Sequence, residues 1–187
     1  MNRYLAIDFE TANSSPLSAC AIGYTLIEDG TILVSDSMLI KPPIGYDNFN
    51  YHNTKVHHIT SSMVYDEPTF DKVYATIEPY FINSIIVAHN ASFDIRVLSA
   101  LKEAYGLCIP CINYLCTVSL SRLVYPDLCN HKLDTVSNYL NISLNHHEAG
   151  SDAYACAMIV YNVEKQFNIS SIEELLSIYS INLKQLV

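Results

Sequence analysis

Two acids, two positions apart, interrupt an apolar run near the N-terminus: Tyr4-Leu5-Ala6-Ile7-Asp8-Phe9-Glu10-Thr11. The β-branched and aromatic content predicts a buried strand. Residues i and i+2 of a strand share a face. The carboxylates of Asp8 and Glu10 therefore lie side by side, and Leu5, Ile7 and Phe9 point the other way. Two like charges buried together call for a cation. A hard divalent ion such as Mg²⁺ is the natural one, because it prefers carboxylate oxygens. Taken alone, the pair has a simpler reading as a strand end whose acids reach solvent.

Two further stretches carry acids. His89-Asn90-Ala91-Ser92-Phe93-Asp94 spans a strand exit and the first turn of a helix, and His147-Glu148-Ala149-Gly150-Ser151-Asp152-Ala153 spans a loop and the start of another. Each sets an Asp near a helix N-terminus, where the helix dipole favours it without any chemistry. His147 lies five residues before Asp152, close enough for one loop to bring an imidazole and a carboxylate to one place.

The elements that must position these groups can be read in chain order. Thr11 to Pro16 is a polar loop. Ser18 to Glu28 and Thr31 to Ile40 read as strands joined by Asp29-Gly30, a two-residue hairpin turn. With the first strand they form an antiparallel meander. Ile44 to Pro68 lacks a period and reads as a loop with one helical turn. Long loops in compact domains often carry function, although its His52, His57 and His58 read as scattered surface histidines. Phe70 to Phe81 has helical spacing. Ser84 to His89 is a short apolar strand expected to run parallel to the first. Ser92 to Ala104 reads as a helix capped by Gly106, Ile112 to Cys116 as a fifth strand, and Thr117 to Val124 and Lys132 to Leu140 as helices. Gly150-Ser151 opens a long helix through about Gln166, and Ile172 to Ile178 is a short one. This order predicts an α/β fold with a central mixed sheet of about five strands flanked by helices. Ligands on such sheets gather beyond the carboxyl ends of the strands, which is where Asp8 and Glu10 lie.

At 187 residues, with 50% hydrophobic and 16% charged residues, the composition is that of one globular domain. We expect a single domain over 1–187, with 167–187 as a short C-terminal helical extension. The net charge of −9 argues against a broad, basic nucleic-acid-binding surface. It leaves room for an enzyme on nucleic acid whose bound metals reverse the local sign. No apolar run reaches membrane-span length, and no signal peptide is evident, so a cytoplasmic protein is expected. Cys20, Cys108, Cys111, Cys116, Cys129 and Cys156 include one C-x-x-C pair without a second to complete a zinc site. Reduced thiols are expected.

The segments DFET, HNASFD and HHEAGSDA resemble the three motifs of the DEDDh group of 3′–5′ exonucleases, which belong to the DnaQ-like superfamily with a ribonuclease H-like fold. The motifs D-x-E-T, H-N-x-x-F-D and H-x-x-x-x-D-A occur in order. Cys116-Thr117, Leu120-Ser121-Arg122 and Asn130-His131-Lys132-Leu133 are also similar to stretches of epsilon-like proofreading proteins of bacterial DNA polymerase III, so the likeness covers roughly residues 3 to 165. It implies that Asp8, Glu10, Asp94 and Asp152 bind two divalent cations, Mg²⁺ or Mn²⁺, and that His147 is the general base, with His146 the alternative that the five-residue spacing disfavours. Two such ions, roughly 4 Å apart, stabilise the attacking and leaving oxygens of an in-line displacement. The implied substrate is the 3′ end of single-stranded DNA or RNA, released as nucleoside 5′-monophosphates. The resemblance puts the backbone amides of Thr11 and Ala12 against the terminal nucleotide, Asn90 and Phe93 on phosphate and base, and Pro16 and Leu17 as a wedge. Phe93 reads equally well as core. An exoribonuclease, and a non-catalytic nucleic-acid-binding module on the same fold, are the other two readings. Epsilon-like chains tend to carry I-H-G-I-T, whereas here Val56-His57-His58-Ile59-Thr60 puts His58 at the glycine. If that position needs positive φ, the loop differs or is strained. With no further domain and no clear clamp-binding peptide before Val187, a stand-alone nuclease is expected, and a polymerase or clamp partner is not indicated.

Overall fold

The computed structural model describes residues 2–186, so Met1 and Val187, the two ends of the expected domain, lie outside the described residues. Strands β1 (Arg3–Thr11), β2 (Ala19–Glu28) and β3 (Thr31–Leu39) form the meander. Asp29 and Gly30 turn the hairpin with φ of 47° and 77°, the paired positive angles that match the twist of the strands. β4 (Ile85–Ala88) runs parallel to β1 with Leu5 opposite Ile86, and β5 (Ile112–Cys116) runs parallel to β4. A sixth strand, β6 (Lys184–Leu186), lies antiparallel on β5 and gives the order β3-β2-β1-β4-β5-β6. It adds one strand to the five expected. Its three residues carry one buried side chain, Leu186, too few for an alternation to show. Pairing with Ile112 holds it in place.

The period of two sorts the sheet into faces. Leu5, Ile7 and Phe9 enter one core with α2 (Phe70–Phe81) and α3 (Ser92–Tyr105). Tyr4 and Ala6 enter the other, with α4 (Thr117–Val124), α5 (Leu133–Leu140) and α6 (Ala149–Phe167). Asp8 and Glu10 continue the Tyr4 and Ala6 face, beneath the start of α6. That helix approaches closely because its packed side is small: Ala153, Ala155, Cys156 and Ala157 are fully buried. Gly23, opposite Asp8 in the ladder, leaves the necessary space. A Cβ there would lie 1.8 Å from the carbonyl oxygen of Ala149. Among the described residues, no helix is long and apolar enough to cross a membrane.

The stretch expected as a loop with one turn contains a seven-residue helix, α1 (Tyr51–His57), capped by the Asn50 side chain, which accepts from the His52 amide at 2.8 Å. Its one buried residue is His57, so no apolar period marked it. His57 corrects the reading of the loop histidines as surface groups. It is 7% exposed, its Nδ1 accepts from the Ile59 amide at 3.0 Å, and its Nε2 lies 3.2 Å from the Thr11 carbonyl. The Ile59 bond leaves the proton on Nε2, which donates to Thr11. His58 ends α1 with φ of 62°, so the position does use the left-handed region and the histidine is held there. Its side chain is exposed. We expect His58→Gly to stabilise the protein by about 0.5–1 kcal/mol, the usual relief at such a cap. A urea titration checks this, and an unchanged or lowered midpoint contradicts it.

Candidate active site

The parallel ladder between β1 and β4 ends at Ala6 and Val87. Beyond it, the Phe9 amide donates to Asp94 Oδ1 at 2.9 Å. Asp94 reaches this point because the chain leaves β4 through Asn90, with φ of 60°, straight into α3. The bond ties the 1%-exposed Asp94 to the backbone between Asp8 and Glu10.

Asp152 comes from the first turn of α6, whose cap is the Glu148 side chain accepting from the Gly150 and Ser151 amides. Oxygens of Asp8, Glu10 and Asp152 all lie within 4.8 Å of one another. Among the described residues, the salt-bridge partners of lysine and arginine are Glu28 and Asp71, so none reaches this cluster. The cost appears in the protonation equilibria. Burial, reinforced by the neighbouring acids, pushes Glu10 to about 8 and Asp8 well above the ordinary carboxylate range. Burial takes Asp94 to about 7 despite the Phe9 amide, and raises Asp152 despite the pull of His146.

The cluster opens into a cleft of about 570 Å³ lined also by Asn90, Phe93, His146 and His147. Of the two histidines, it is the His146 ring that meets Asp152, with Nδ1 at 3.0 and 3.2 Å from its oxygens. His147 donates its backbone amide to the same carboxylate at 3.0 Å. Its ring stacks on His146 with centroids 3.8 Å apart, and its φ is 69°. Burial, then the adjacent His146, lowers the pKa of His147 below the ordinary imidazole value.

Thr11 and Ala12 are buried and do not line the cleft. The Thr11 carbonyl takes Asn53 Nδ2 at 2.8 Å as well as His57, and the Ala12 amide donates to the Ser18 carbonyl at 2.8 Å. Pro16 and Leu17 form a 3₁₀ turn, with Leu17 packed on the core. Asn53, His57 and Gly23 all shape the site and escaped the sequence reading. Their partners are far along the chain, and spacing does not report such contacts. The C-x-x-C cysteines, Cys108 and Cys111, are exposed free thiols.

His89 is half-buried at the exit of β4. Its Nδ1 lies 2.8 Å from Thr117 Oγ1 and its Nε2 lies 3.0 Å from the His131 carbonyl, so it joins β4 to α4 and to the segment before α5. Burial depresses its pKa to about 4. A base depressed in the folded state contributes stability that is complete above its unfolded value near ~6.5 and lost as pH falls towards the folded one. Between those limits the loss is roughly 3 kcal/mol. We expect the stability difference between the parent and His89→Gln to shrink by about this amount from pH 7 to pH 4, read from paired denaturant titrations. A difference independent of pH contradicts the assignment.

A family model described as Exonuclease matches residues 5–160. The PolC-type DNA polymerase III of Clostridium perfringens is 34% identical over 185 residues, covering 96% of this chain and 12% of that protein. The same enzyme of Caldanaerobacter subterraneus is 32% identical over 181 residues, covering 94% and 13% respectively. The chain thus spans about an eighth of the length of these curated relatives. Among solved structures, Exonuclease X in complex with 5′ overhanging duplex DNA is 26% identical with a TM-score of 0.71, covering 96% of this chain and 99% of that one. Cell-death related nuclease 4, at 13% identity, TM-score 0.74 and coverage of 100% and 81%, shares the fold.

Proposed function

Because the chain belongs to the RNase T exonuclease family of DnaQ-like 3′–5′ exonucleases, we propose that it removes nucleotides from the 3′ end of a single strand as nucleoside 5′-monophosphates. The observation that carries this reading is the cluster of acids from β1 and α6 on a cleft that also holds two histidines, with the buried Asp94 of α3 bonded to the Phe9 amide between two of them. DNA is the favoured strand, supported by relatives that are DNA polymerases and a neighbour described in complex with DNA. All described strands belong to one sheet, which supports one exonuclease domain, with 167–187 as an extension of helix α7 (Ile172–Ile178) and strand. We take the cytoplasm as its compartment.

The donor set fits divalent metal. Three carboxylates crowd within 4.8 Å, and among the described residues no lysine or arginine makes a salt bridge to them, an arrangement that burial penalises unless a cation compensates it. Exonucleases of this family generally use divalent ions, and we infer two, Mg²⁺ or Mn²⁺, held by Asp8, Glu10, Asp94 and Asp152. When bound, such ions make water a better nucleophile and offset the charge on the leaving 3′ oxygen. The protein's own residues supply the rest. Phe9 and His147 amides orient the Asp94 and Asp152 carboxylates. His147, neutral at pH 7 because burial and His146 lower its pKa, accepts the proton of the attacking water at a ring nitrogen. Asn90 and Phe93 hold the terminal nucleotide, the ring against the base. Thr11 and Ala12 are our candidates for backbone contacts to it, which requires the Ala12 amide to share or leave the Ser18 carbonyl.

The test is polarity. An oligonucleotide with a 3′-phosphate is expected to resist digestion, and one blocked at its 5′ end to be consumed at the parent rate. Internal cuts in a circular single strand contradict the exonuclease reading.

A further inference from the structure

The cleft has two chemically unlike walls. One carries the acids. The other, from the end of α4 and the segment leading into α5, carries Arg122, His131 and Lys132. We propose that Arg122 and Lys132 form a phosphate-binding track that holds the internucleotide phosphates of the strand upstream of the scissile bond. The inference rests on the exonuclease reading above and names how that site takes a polymer.

Three observations carry it. Arg122 and Lys132 are exposed, and the salt bridges among the described residues include neither. Eight of the 10 basic residues are in no salt bridge among the described residues, so what singles out Arg122 and Lys132 is their place on the lining of this cleft in a chain with 19 acidic residues. A third, Arg96, sits 5.9 Å from the centre of the Phe93 ring, which lines the same cleft.

The wall is also built rather than loose. The Asn130 side chain accepts from the Lys132 amide at 3.0 Å and from the Thr135 hydroxyl at 2.8 Å. The His131 carbonyl takes the His89 ring at 3.0 Å. The segment that carries Lys132 is therefore pinned to the motif residue that follows β4. In addition, His131 Nδ1 is buried without a hydrogen-bond partner, leaving an uncommitted polar atom on a cleft-lining side chain.

The chemistry follows from charge. A polyanionic strand is repelled by the acidic wall until cations fill it. Side chains that attract phosphate on the facing wall let the strand approach and fix its register. Arg122 can grip two phosphate oxygens through its planar fork, whereas Lys132 acts as a point charge. A released mononucleotide has no internucleotide phosphate, so the track favours retention of the polymer over the product.

The experiment compares Arg122→Ala, Lys132→Ala and their double variant with Lys165→Ala. Lys165 lies thirteen residues along α6 from Asp152, about 20 Å away. kcat/KM for a labelled oligothymidylate is measured from 50 to 200 mM KCl with saturating Mn²⁺. Each cleft variant should lower the log–log salt slope by about 0.7, the single-strand value for one lost contact. The loss should fall on KM, and Arg122→Lys should restore the slope. Lys165→Ala should keep the parent slope. A parent-like slope and KM in the double variant, or an equal change in Lys165→Ala, overturns the track. Retention of the Mn²⁺-induced melting shift separates lost phosphate contacts from a failed fold. Hydrolysis of the p-nitrophenyl ester of thymidine 5′-monophosphate by the parent tests the exonuclease reading separately, because that ester has no upstream phosphate.

Discussion

Asp8→Asn is expected to lower nucleotide release by about 10³-fold or more, the scale of losing a preorganised electrostatic group, while raising the melting temperature of the metal-free protein. The two effects have one cause. Asp8 shares its site with Glu10 and Asp152 at separations within 4.8 Å and is tied through Phe9 to Asp94. At that separation and an effective permittivity near 20, one fully charged like-charge pair costs about 3.5 kcal/mol or more. Partial protonation relieves some of it, so a net gain of about 1–2 kcal/mol is expected on removing the charge. For a domain of this length that is about 2–8 °C. A variant that merely damaged the fold would lose both activity and stability. Melting curves in EDTA, set beside release assays in Mn²⁺, check the opposed signs. An Asp8→Asn protein as active as the parent removes the basis of the assignment.

His147→Ala should retain metal and single-strand binding and lose turnover by roughly 10² to 10⁴, the usual contribution of a positioned base. His146→Ala should cost far less. In the structure the His146 ring holds Asp152, while His147 touches it through its amide. The assignment of His147 as base therefore requires the stacked pair to separate when substrate and metal arrive. Tightening of that kind in the reactive complex is common for loop-borne bases, and the positive φ of His147 marks the loop as held in a conformation that need not persist. Single-turnover release by both variants at saturating Mn²⁺ decides between them. If His146→Ala is the inactive one, the histidine that works is the one already on Asp152.

What the sequence made legible follows from local rules. The two-residue alternation of β1 put Asp8 and Glu10 on one face, and the helical spacing of Phe70 to Phe81 fixed α2 to the residue. The motifs, read through the resemblance, named Asp94, which takes the Phe9 amide, and Asp152, which joins Asp8 and Glu10. What escaped it depends on contacts between distant segments. α1 buries a single histidine, so no apolar stripe announced it. β6 is too short for an alternation and exists through pairing with β5. Gly23 looks like any strand glycine until α6 is laid across it. Arg122 and Lys132 come from segments around two successive helices and line one cleft, which no local spacing announces. His58 was legible as a departure but not in its outcome. The left-handed cap is kept, and its side chain remains in solvent.

Metal binding by the acid cluster, driving hydrolysis at a 3′ end, is what we propose above all. Its most direct test titrates Mn²⁺ into one metal-free preparation and follows two signals, the melting temperature and the single-turnover release of nucleotide from a 3′-hydroxyl oligonucleotide. Binding to the folded state alone raises stability with the logarithm of free metal above its dissociation constant. We predict that activity and the onset of stabilisation appear over the same Mn²⁺ range in the parent, that EDTA reverses both, and that both are absent in Asp8→Asn. Release that persists in EDTA, or a parent-like response in Asp8→Asn, contradicts the account.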